Sequence, residues 1–297
     1  MSEPYRVFIQ TNALQALPAK IAAYALTRNS ASFGRFTVTI LHQDDFPFLN
    51  ARHGQPYLRE GKTETWHADV LQSFTPLRFA PPEIMGYRGR ALVIDPDVFA
   101  IGDVFELLSR DMGQASIMVR ARLRPEGEPE KLSSAVMLLD CARLSHWRLE
   151  HDFSELFAFA RDYKAWLDLK LEPRETISLF EPEWNDFDHL SPETKLLHTT
   201  RQITQPWRTG LPVTEVLETS ARRRRARLPG WLKPRRADAH PHHRVHPDPN
   251  IELVFLTLAR EALGKGVIDE AEVRAEIARG HLRADLFEAL EEAARAA

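Results

Sequence analysis

The stretch Ala91-Leu92-Val93-Ile94-Asp95-Pro96-Asp97 places two carboxylates directly after a continuous apolar run. Such a run is typical of a strand buried on both faces of a sheet. Pro96 has a fixed φ and no amide hydrogen, which predicts that the strand ends there and that the chain turns. Asp95 and Asp97 are therefore expected together at the carboxyl end of the strand, where a divalent cation would relieve the repulsion between their charges. A solvated turn is the alternative when the pair is taken alone.

The composition limits the class of protein. The 297 residues are 43% hydrophobic, enough for a large α/β domain with a smaller appendage. The 39 basic and 42 acidic residues nearly cancel, so no overall charge favours nucleic acid as a partner. The lack of a long apolar stretch predicts a cytoplasmic protein. The single cysteine, Cys141, excludes an internal disulfide framework and fits a reducing compartment.

Strand and helix patterns alternate around the acidic pair, which predicts a mainly parallel, doubly wound α/β sheet. Strands are expected near 7–9, 36–41, 91–94, 116–119 and 134–139, and a helix follows the first of them. The polar segment from 47 to 82 predicts loops with one helix near 64–72. Ligands of such sheets bind at the carboxyl ends of the strands, where Asp95 and Asp97 should lie.

His198 is a further candidate ligand. It stands at the end of the apolar segment Lys195-Leu196-Leu197-His198, and Gln205-Pro206-Trp207 follows closely. An imidazole at that position could complete a metal shell with the two carboxylates. A surface histidine at a strand end is the alternative.

Four segments, taken in order, resemble family 8 glycosyltransferases, the group that includes glycogenin and bacterial lipopolysaccharide galactosyltransferases. Residues 91–107 resemble the family's Asp-x-Asp segment, and Arg78 resembles the arginine that precedes it. Residues 132–140 resemble its Phe-Asn-Ser-Gly-Val segment. Leu197-His198 with Pro206-Trp207 resembles its terminal His and Pro-Trp motif. The resemblance runs from about Tyr5 to Gly210.

The resemblance implies a GT-A fold over residues 1–212 and a retaining transfer of sugar from a nucleotide-sugar, usually a UDP-sugar, to a glycan or glycolipid acceptor. Asp95, Asp97 and His198 would hold Mn²⁺ or Mg²⁺, and the imidazole favours Mn²⁺. The candidate donor-binding residues are Thr11, Asn12, Arg78, Arg90, Asp95, Asp97, Ser133, Ser134 and Gln205, of which Arg90 is included because it is near the acidic pair in sequence. Turn formation, surface charge and tight strand packing are the simpler interpretations of these positions outside the acidic pair.

The chain also departs from the family pattern. Ser133 replaces the family's Asn, and Gln205 replaces the lysine before Pro-Trp. The Asp-Gln motif beside the anomeric carbon has no clear counterpart, and Asp168, Glu172 and Glu175 are the candidate catalytic substitutes.

These departures leave more than one function open. An active transferase and a nucleotide-sugar-binding protein without transfer activity are both consistent with the motifs. A metal-dependent nucleotidyltransferase or phosphohydrolase is disfavoured, because no phosphate-cradling glycine loop accompanies the acids.

The remaining residues differ in character. Residues 213–249 form a basic segment rich in His and Pro, with Arg222 to Arg225 and Trp231. This composition predicts a solvated linker, or a contact with an anionic membrane surface or an acidic glycan acceptor. Residues 250–297 predict a small helical region, with Asn250 and Asp269 as helix caps and a third helix from 282 to 290.

Overall fold

The computed structural model describes residues 5–122, 131–213 and 242–296. The chain divides into two compact units, Met1–His198 and Thr199–Ala297. This division groups residues 199–213 with the C-terminal helices, whereas residues 199–212 are predicted from the sequence to be part of the N-terminal domain. Most of the predicted linker at 213–249 lies outside the described residues.

The described strands are β1 (Tyr5–Thr11), β2 (Thr37–His42), β3 (Pro56–Arg59), β4 (Lys62–Thr65), β5 (Arg90–Ile94), β6 (Val98–Ala100), β7 (Ile117–Arg122), β8 (Lys131–Asp140), β9 (Ile177–Leu179), β10 (Asp186–Phe187) and β11 (Leu196–His198). The described α-helices are α1 (Ala16–Arg28), α2 (Pro47–Ala51), α3 (Pro81–Ile84), α4 (Phe105–Leu108), α5 (Leu149–Phe157), α6 (Tyr163–Leu167), α7 (Pro249–Gly264), α8 (Glu270–Ala278) and α9 (Leu286–Ala296).

A six-stranded sheet in the order β2-β1-β5-β8-β7-β9 forms the centre of the N-terminal unit. The pairs β1–β2, β1–β5 and β7–β9 are parallel, whereas β8 runs antiparallel to both β5 and β7. The sheet is therefore mainly parallel, as predicted, with one reversed strand. All side chains from Ala91 to Ile94 in β5 are fully buried, as the continuous apolar run predicts.

A small second sheet, β10-β11-β6, positions the end of β11. Strand β6 begins two residues after Pro96 and pairs antiparallel with β11, so that His198 lies opposite Val98. The residue before Val98 is Asp97. The register of this pair therefore brings His198 to the turn that carries the two acids.

The helix predicted near residues 64–72 is wrong. Residues 62–65 instead form β4, which pairs antiparallel with β3. The turn between them contains Glu60 and Gly61, both with positive φ, at 51° and 69°. Two residues with positive φ in a two-residue loop match the twist of the strands in a β-hairpin. This turn therefore favours a hairpin over a helix.

The C-terminal unit contains the three predicted helices with shifted ends. Asp248, rather than Asn250, caps α7, because its side chain accepts a hydrogen bond from the Asn250 amide and Pro249 occupies the first helical position. Asp269 caps α8 as predicted. The third helix, α9, runs from Leu286 to Ala296, later than predicted. Among the described residues, no helix is long and apolar enough to cross a membrane.

Candidate metal and donor site

Asp95, Asp97 and His198 form a buried cluster at the carboxyl end of β5. One ligand atom from each side chain lies within 4.8 Å of the others, and His198 Nε2 lies 3.3 Å from Asp97 Oδ1. The turn around Pro96 closes with a hydrogen bond of 3.1 Å from the Val98 amide to the Asp95 carbonyl. This turn and the pairing of β6 with β11 together place the three side chains.

The Asp95 carboxylate is fixed by three donors. Arg78 donates from Nε to Oδ1 at 2.9 Å and from Nη2 to Oδ2, and Gln10 donates from Nε2 to Oδ1. A carboxylate offers about four acceptor positions. Among the residues that the structure describes, these donors leave one position open for a cation.

Electrostatics at Asp95 favour a cation in the same place. Burial raises the pKa of the Asp95 carboxyl, the guanidinium of Arg78 opposes that rise, and the neighbouring Asp97 adds to it. A cation beside the two acids would stabilise both carboxylates in their charged form.

The imidazole of His198 is oriented by a buried amide. Its Nδ1 lies 2.7 Å from Oδ1 of Asn185, which is fully buried. Because Oδ1 can only accept, Nδ1 carries a proton, and in the neutral ring the lone pair of Nε2 then faces Asp97. Two lone pairs 3.3 Å apart repel unless a proton or a cation lies between them.

The donor set fits a divalent metal ion. Neighbouring ligands of an octahedral ion with bonds of ~2.1 Å lie about 3 Å apart, close to the separation of His198 and Asp97. Two carboxylates with one imidazole suit Mn²⁺ better than Mg²⁺. The hydrogen bond from His198 to Asn185 is the kind that commonly orients a metal-bound histidine.

Ser134 joins this cluster to α6. Its Oγ accepts a hydrogen bond from Arg78 Nη1 at 2.9 Å and donates one to the Leu167 carbonyl at 2.7 Å. Ser133 Oγ lies 3.5 Å from Asn185 Nδ2, beside the His198 ring support. Both predicted serines therefore lie next to the acidic cluster, where β8 extends beyond the end of β5.

Thr11 and Asn12 lie at the carboxyl end of β1, on the same edge of the sheet as Asp95. The Asn12 side chain accepts from the Leu14 amide at 3.1 Å and donates to the Val70 carbonyl and to Ser73 Oγ, each at 3.0 Å. Asn12 therefore anchors the segment 70–73 at this edge.

Of the other predicted donor-binding residues, Arg90 lies away from the acidic cluster and Gln205 belongs to the other unit. Arg90 opens β5 at the end opposite to Asp95, and it donates to the Arg110 carbonyl. Gln205 belongs to the C-terminal unit, where it is fully buried and donates to the Thr199 carbonyl at 3.3 Å.

The three candidate catalytic acids have different surroundings. Glu172 accepts from Trp147 Nε1 at 2.7 Å and lies 2.9 Å from His146 Nε2. Glu175 is exposed. Asp168 pairs with Lys164. Asp168 follows Leu167, whose carbonyl accepts a hydrogen bond from Ser134. Ser134 in turn accepts one from Arg78, so Asp168 is the candidate acid that these hydrogen bonds connect to the cluster.

Sequence reasoning missed Gln10 as a partner of the site and did not foresee how Asn185 acts. Gln10 is a polar residue inside the apolar β1, and it is fully buried. A buried polar side chain in a central strand requires a hydrogen-bond partner, and this signal could have identified it.

The sequence matches no family model and no curated protein. Among solved structures, the chain is similar to the glycosyltransferase GlyE of Streptococcus pneumoniae TIGR4, with 13% identity and a TM-score of 0.52 over 90% of this chain and 64% of that one. The apo form of GlyE gives a TM-score of 0.51, again with 13% identity, over 89% of this chain and 64% of that one. The chain thus spans just under two thirds of GlyE. The galactosyltransferase LgtC, in complex with donor and acceptor sugar analogs, is less similar. Its identity is 13% and its TM-score is 0.47, over 68% of this chain and 89% of that one. The likeness to GlyE, together with the central sheet described above, shows that the chain has the GT-A glycosyltransferase fold.

Proposed function

We propose that this protein is a metal-dependent, retaining glycosyltransferase, similar to family 8, that moves a sugar from a UDP-sugar to a glycan or glycolipid acceptor. The observation that supports this function is the buried cluster of Asp95, Asp97 and His198 at the carboxyl end of a parallel strand in a GT-A fold. That edge of the sheet is where open α/β folds bind ligands.

Asp95, Asp97 and His198 would hold Mn²⁺. When bound, the cation would supply Lewis-acid neutralisation of the negative charge on the leaving diphosphate. Arg78 and Gln10 keep the Asp95 carboxylate in place, and Asn185 keeps the His198 lone pair directed at Asp97. These contacts fix the ligands before the donor arrives, which lowers the cost of ordering them.

The donor would extend along the same edge of the sheet. Thr11 and the segment anchored by Asn12 flank the position of the nucleoside, and Ser133 and Ser134 flank the position of the sugar. The Arg78 guanidinium lies between Asp95 and Ser134 and is therefore placed to meet a phosphate or sugar oxygen.

The surroundings of the candidate acids favour a front-face mechanism. Glu172 is engaged by Trp147 and His146, and Asp168 by Lys164. In this mechanism the bond from the anomeric carbon to the donor phosphate breaks, the acceptor oxygen bonds to that carbon on the same face, and the departing phosphate oxygen takes the acceptor proton. Isolation of a covalent glycosyl-enzyme would contradict it.

The surroundings of the candidate acids are also consistent with a second function. A chain whose candidate acids are all engaged or exposed could bind the nucleotide-sugar without transferring it. Donor binding without hydrolysis or transfer, even with cell-derived acceptors present, would support this function.

Peripheral attachment to an anionic membrane at its cytoplasmic face is part of the proposal, because glycolipid acceptors reside there. The basic residues that suggested it, from Arg222 to Arg236, lie outside the described residues. Vesicle binding that depends on anionic lipid would test it.

The decisive experiment measures binding and slow hydrolysis of a panel of UDP-sugars with and without Mn²⁺. Asp97→Ala is expected to abolish the metal-dependent signal without unfolding the protein. Glu193→Ala removes an exposed acid elsewhere in the unit and serves as the charge-matched control. Activity retained in Asp97→Ala would remove the metal assignment, and no metal-dependent donor binding in the wild type would overturn the function.

A further inference from the structure

We propose that His53, His67 and Asp69 form a second metal site, specific for zinc, on the surface of the N-terminal unit. One ligand atom from each of the three exposed side chains lies within 4.8 Å of the others. None of these residues belongs to the donor site described above.

The β3–β4 hairpin brings the two histidines together. Beyond its paired strands, the Trp66 amide donates to the Gln55 carbonyl at 2.9 Å, and the Gly54 amide donates to the Trp66 carbonyl at 2.8 Å. His53 and His67 follow directly beyond these bonds, and their ring centroids are 5.7 Å apart. The hairpin is fixed to the core because the Trp66 ring is buried and packs edge-on against Phe153.

The backbone on both sides of Asp69 is anchored by hydrogen bonds. The Ala68 carbonyl accepts from Gln43 Nε2 at 2.7 Å, and the Val70 carbonyl accepts from Asn12 Nδ2 at 3.0 Å. The backbone around Asp69 is therefore fixed, although its side chain is exposed. A ligand set on fixed backbone loses little conformational entropy when it closes on an ion.

The ligand atoms already lie close to one another. His53 Nδ1 lies 3.8 Å from Asp69 Oδ1, and it accepts a hydrogen bond of 3.2 Å from the Ala68 amide. The lone pair of Nδ1 is thus directed at the segment that carries His67 and Asp69. A tetrahedral zinc with bonds of 2.0–2.1 Å needs its ligands about 3.4 Å apart, so small rotations of exposed side chains complete the site. The zinc would then take the Nδ1 lone pair, and water would replace His53 as the acceptor for the Ala68 amide, because that hydrogen bond is exposed to solvent.

The chemistry of the ligands selects the metal. Two imidazoles and one carboxylate, with water in the fourth position, suit zinc. The donor site, with two carboxylates and one imidazole, suits Mn²⁺. A bound zinc ion would cross-link the hairpin to the segment that Asn12 anchors, and it would raise the unfolding temperature of the protein.

The test uses the full chain with Asp97→Ala, so that the donor site does not contribute to zinc binding. Calorimetric titration with zinc chloride should lose one equivalent per chain when His67→Ala is added, and the zinc-dependent rise in unfolding temperature should disappear. His242→Ala removes another exposed histidine and should change neither result. His67 is exposed, so its removal is not expected to alter the fold, and circular dichroism checks this.

An unchanged zinc stoichiometry in His67→Ala would overturn the site. So would the absence of zinc binding in the Asp97→Ala chain. Neither result bears on the proposed transferase, because Mn²⁺-dependent donor binding is measured on the wild-type chain.

Discussion

Asn185 Oδ1 lies 2.7 Å from His198 Nδ1, and this contact directs the opposite nitrogen of the ring at Asp97. Asn185 ends a short 3₁₀ helix, Pro182–Asn185, immediately before β10, and β10 pairs with the β11 strand that ends at His198. Asn185 thus lies directly before β10, and His198 ends β11, the neighbouring strand of the same small sheet.

We expect Asn185→Ala to weaken Mn²⁺ affinity by about 10- to 100-fold, because the His198 ring loses the acceptor that sets its tautomer and orientation. Calorimetric titration with Mn²⁺ measures the change. Asn185→Asp keeps an acceptor oxygen at the same place and should recover most of the affinity. Equal loss in both variants would show that Asn185 acts by packing alone.

Replacing Arg78 should destabilise the metal-free protein. Its side chain and that of Asp95 are only 13% and 9% exposed, so Arg78→Met leaves a buried carboxylate without its main partner, at a cost of about 3 kcal/mol. Urea unfolding measures this free energy. Added Mn²⁺ should recover part of the loss, since the cation stabilises the same carboxylate.

The double variant Arg78→Met with Asp95→Asn provides the control. If the two residues act as a pair, the double variant should lose less stability than the two single variants added together. Strictly additive losses would indicate that the ion pair contributes nothing to folding.

Much of the fold could be predicted from the sequence because its strands are unusually apolar. The runs at 91–94 and 134–139 have no periodicity that a helix of that length would show, and both are buried strands. The reversed direction of β8 could not be predicted, since a strand buried on both faces has the same pattern in either direction. The hairpin at 56–65 was not predicted, because its polar residues do not give a clear alternation of apolar and polar positions. Its Glu60-Gly61 turn was the informative feature.

The sequence could predict that Asp95, Asp97 and His198 lie together, because they stand at or just after the ends of strands. Asp95 and Asp97 follow β5 at the carboxyl edge of the central sheet, and the pairing of β11 with β6 in the small second sheet brings His198 to them. Arg90 is only five residues from Asp95 in sequence, yet it starts β5 and lies at the opposite end of that strand. Two residues that are close in sequence therefore lie far apart when they occupy opposite ends of a strand. Gln10 reaches Asp95 because β1 pairs with β5, and the sequence alone does not reveal this pairing.

Asn12→Ala should destabilise the protein by about 2 kcal/mol, because it removes the cap of the Ala13–Gln15 turn and the donor to Val70 and Ser73. The freed segment borders the proposed nucleoside position, so donor affinity should fall as well. Thr11→Val, which loses one weak bond of 3.2 Å to the neighbouring carbonyl, is the matched control for stability. Wild-type stability in Asn12→Ala would contradict the anchoring role.

The C-terminal unit should lose stability on mild acidification because of His243. Burial is the main reason that the pKa of this imidazole falls from 6.5 to about 4, and the nearby Arg208 guanidinium adds to the effect. Nδ1 lies 2.8 Å from the Gln202 carbonyl, and no hydrogen bond to the buried Nε2 comes from the residues that the structure describes.

The folded state therefore binds the His243 proton only near pH 4, whereas the unfolded chain binds it near pH 6.5. Stability from this group is fully present above pH 6.5 and is lost as pH falls toward 4, by up to on the order of 3 kcal/mol. Urea unfolding at pH 7 and pH 5 measures the loss. In His243→Asn the amide can still donate to Gln202 but does not titrate, so the difference between the two pH values should shrink. An equal pH dependence in the variant would assign the effect to other groups.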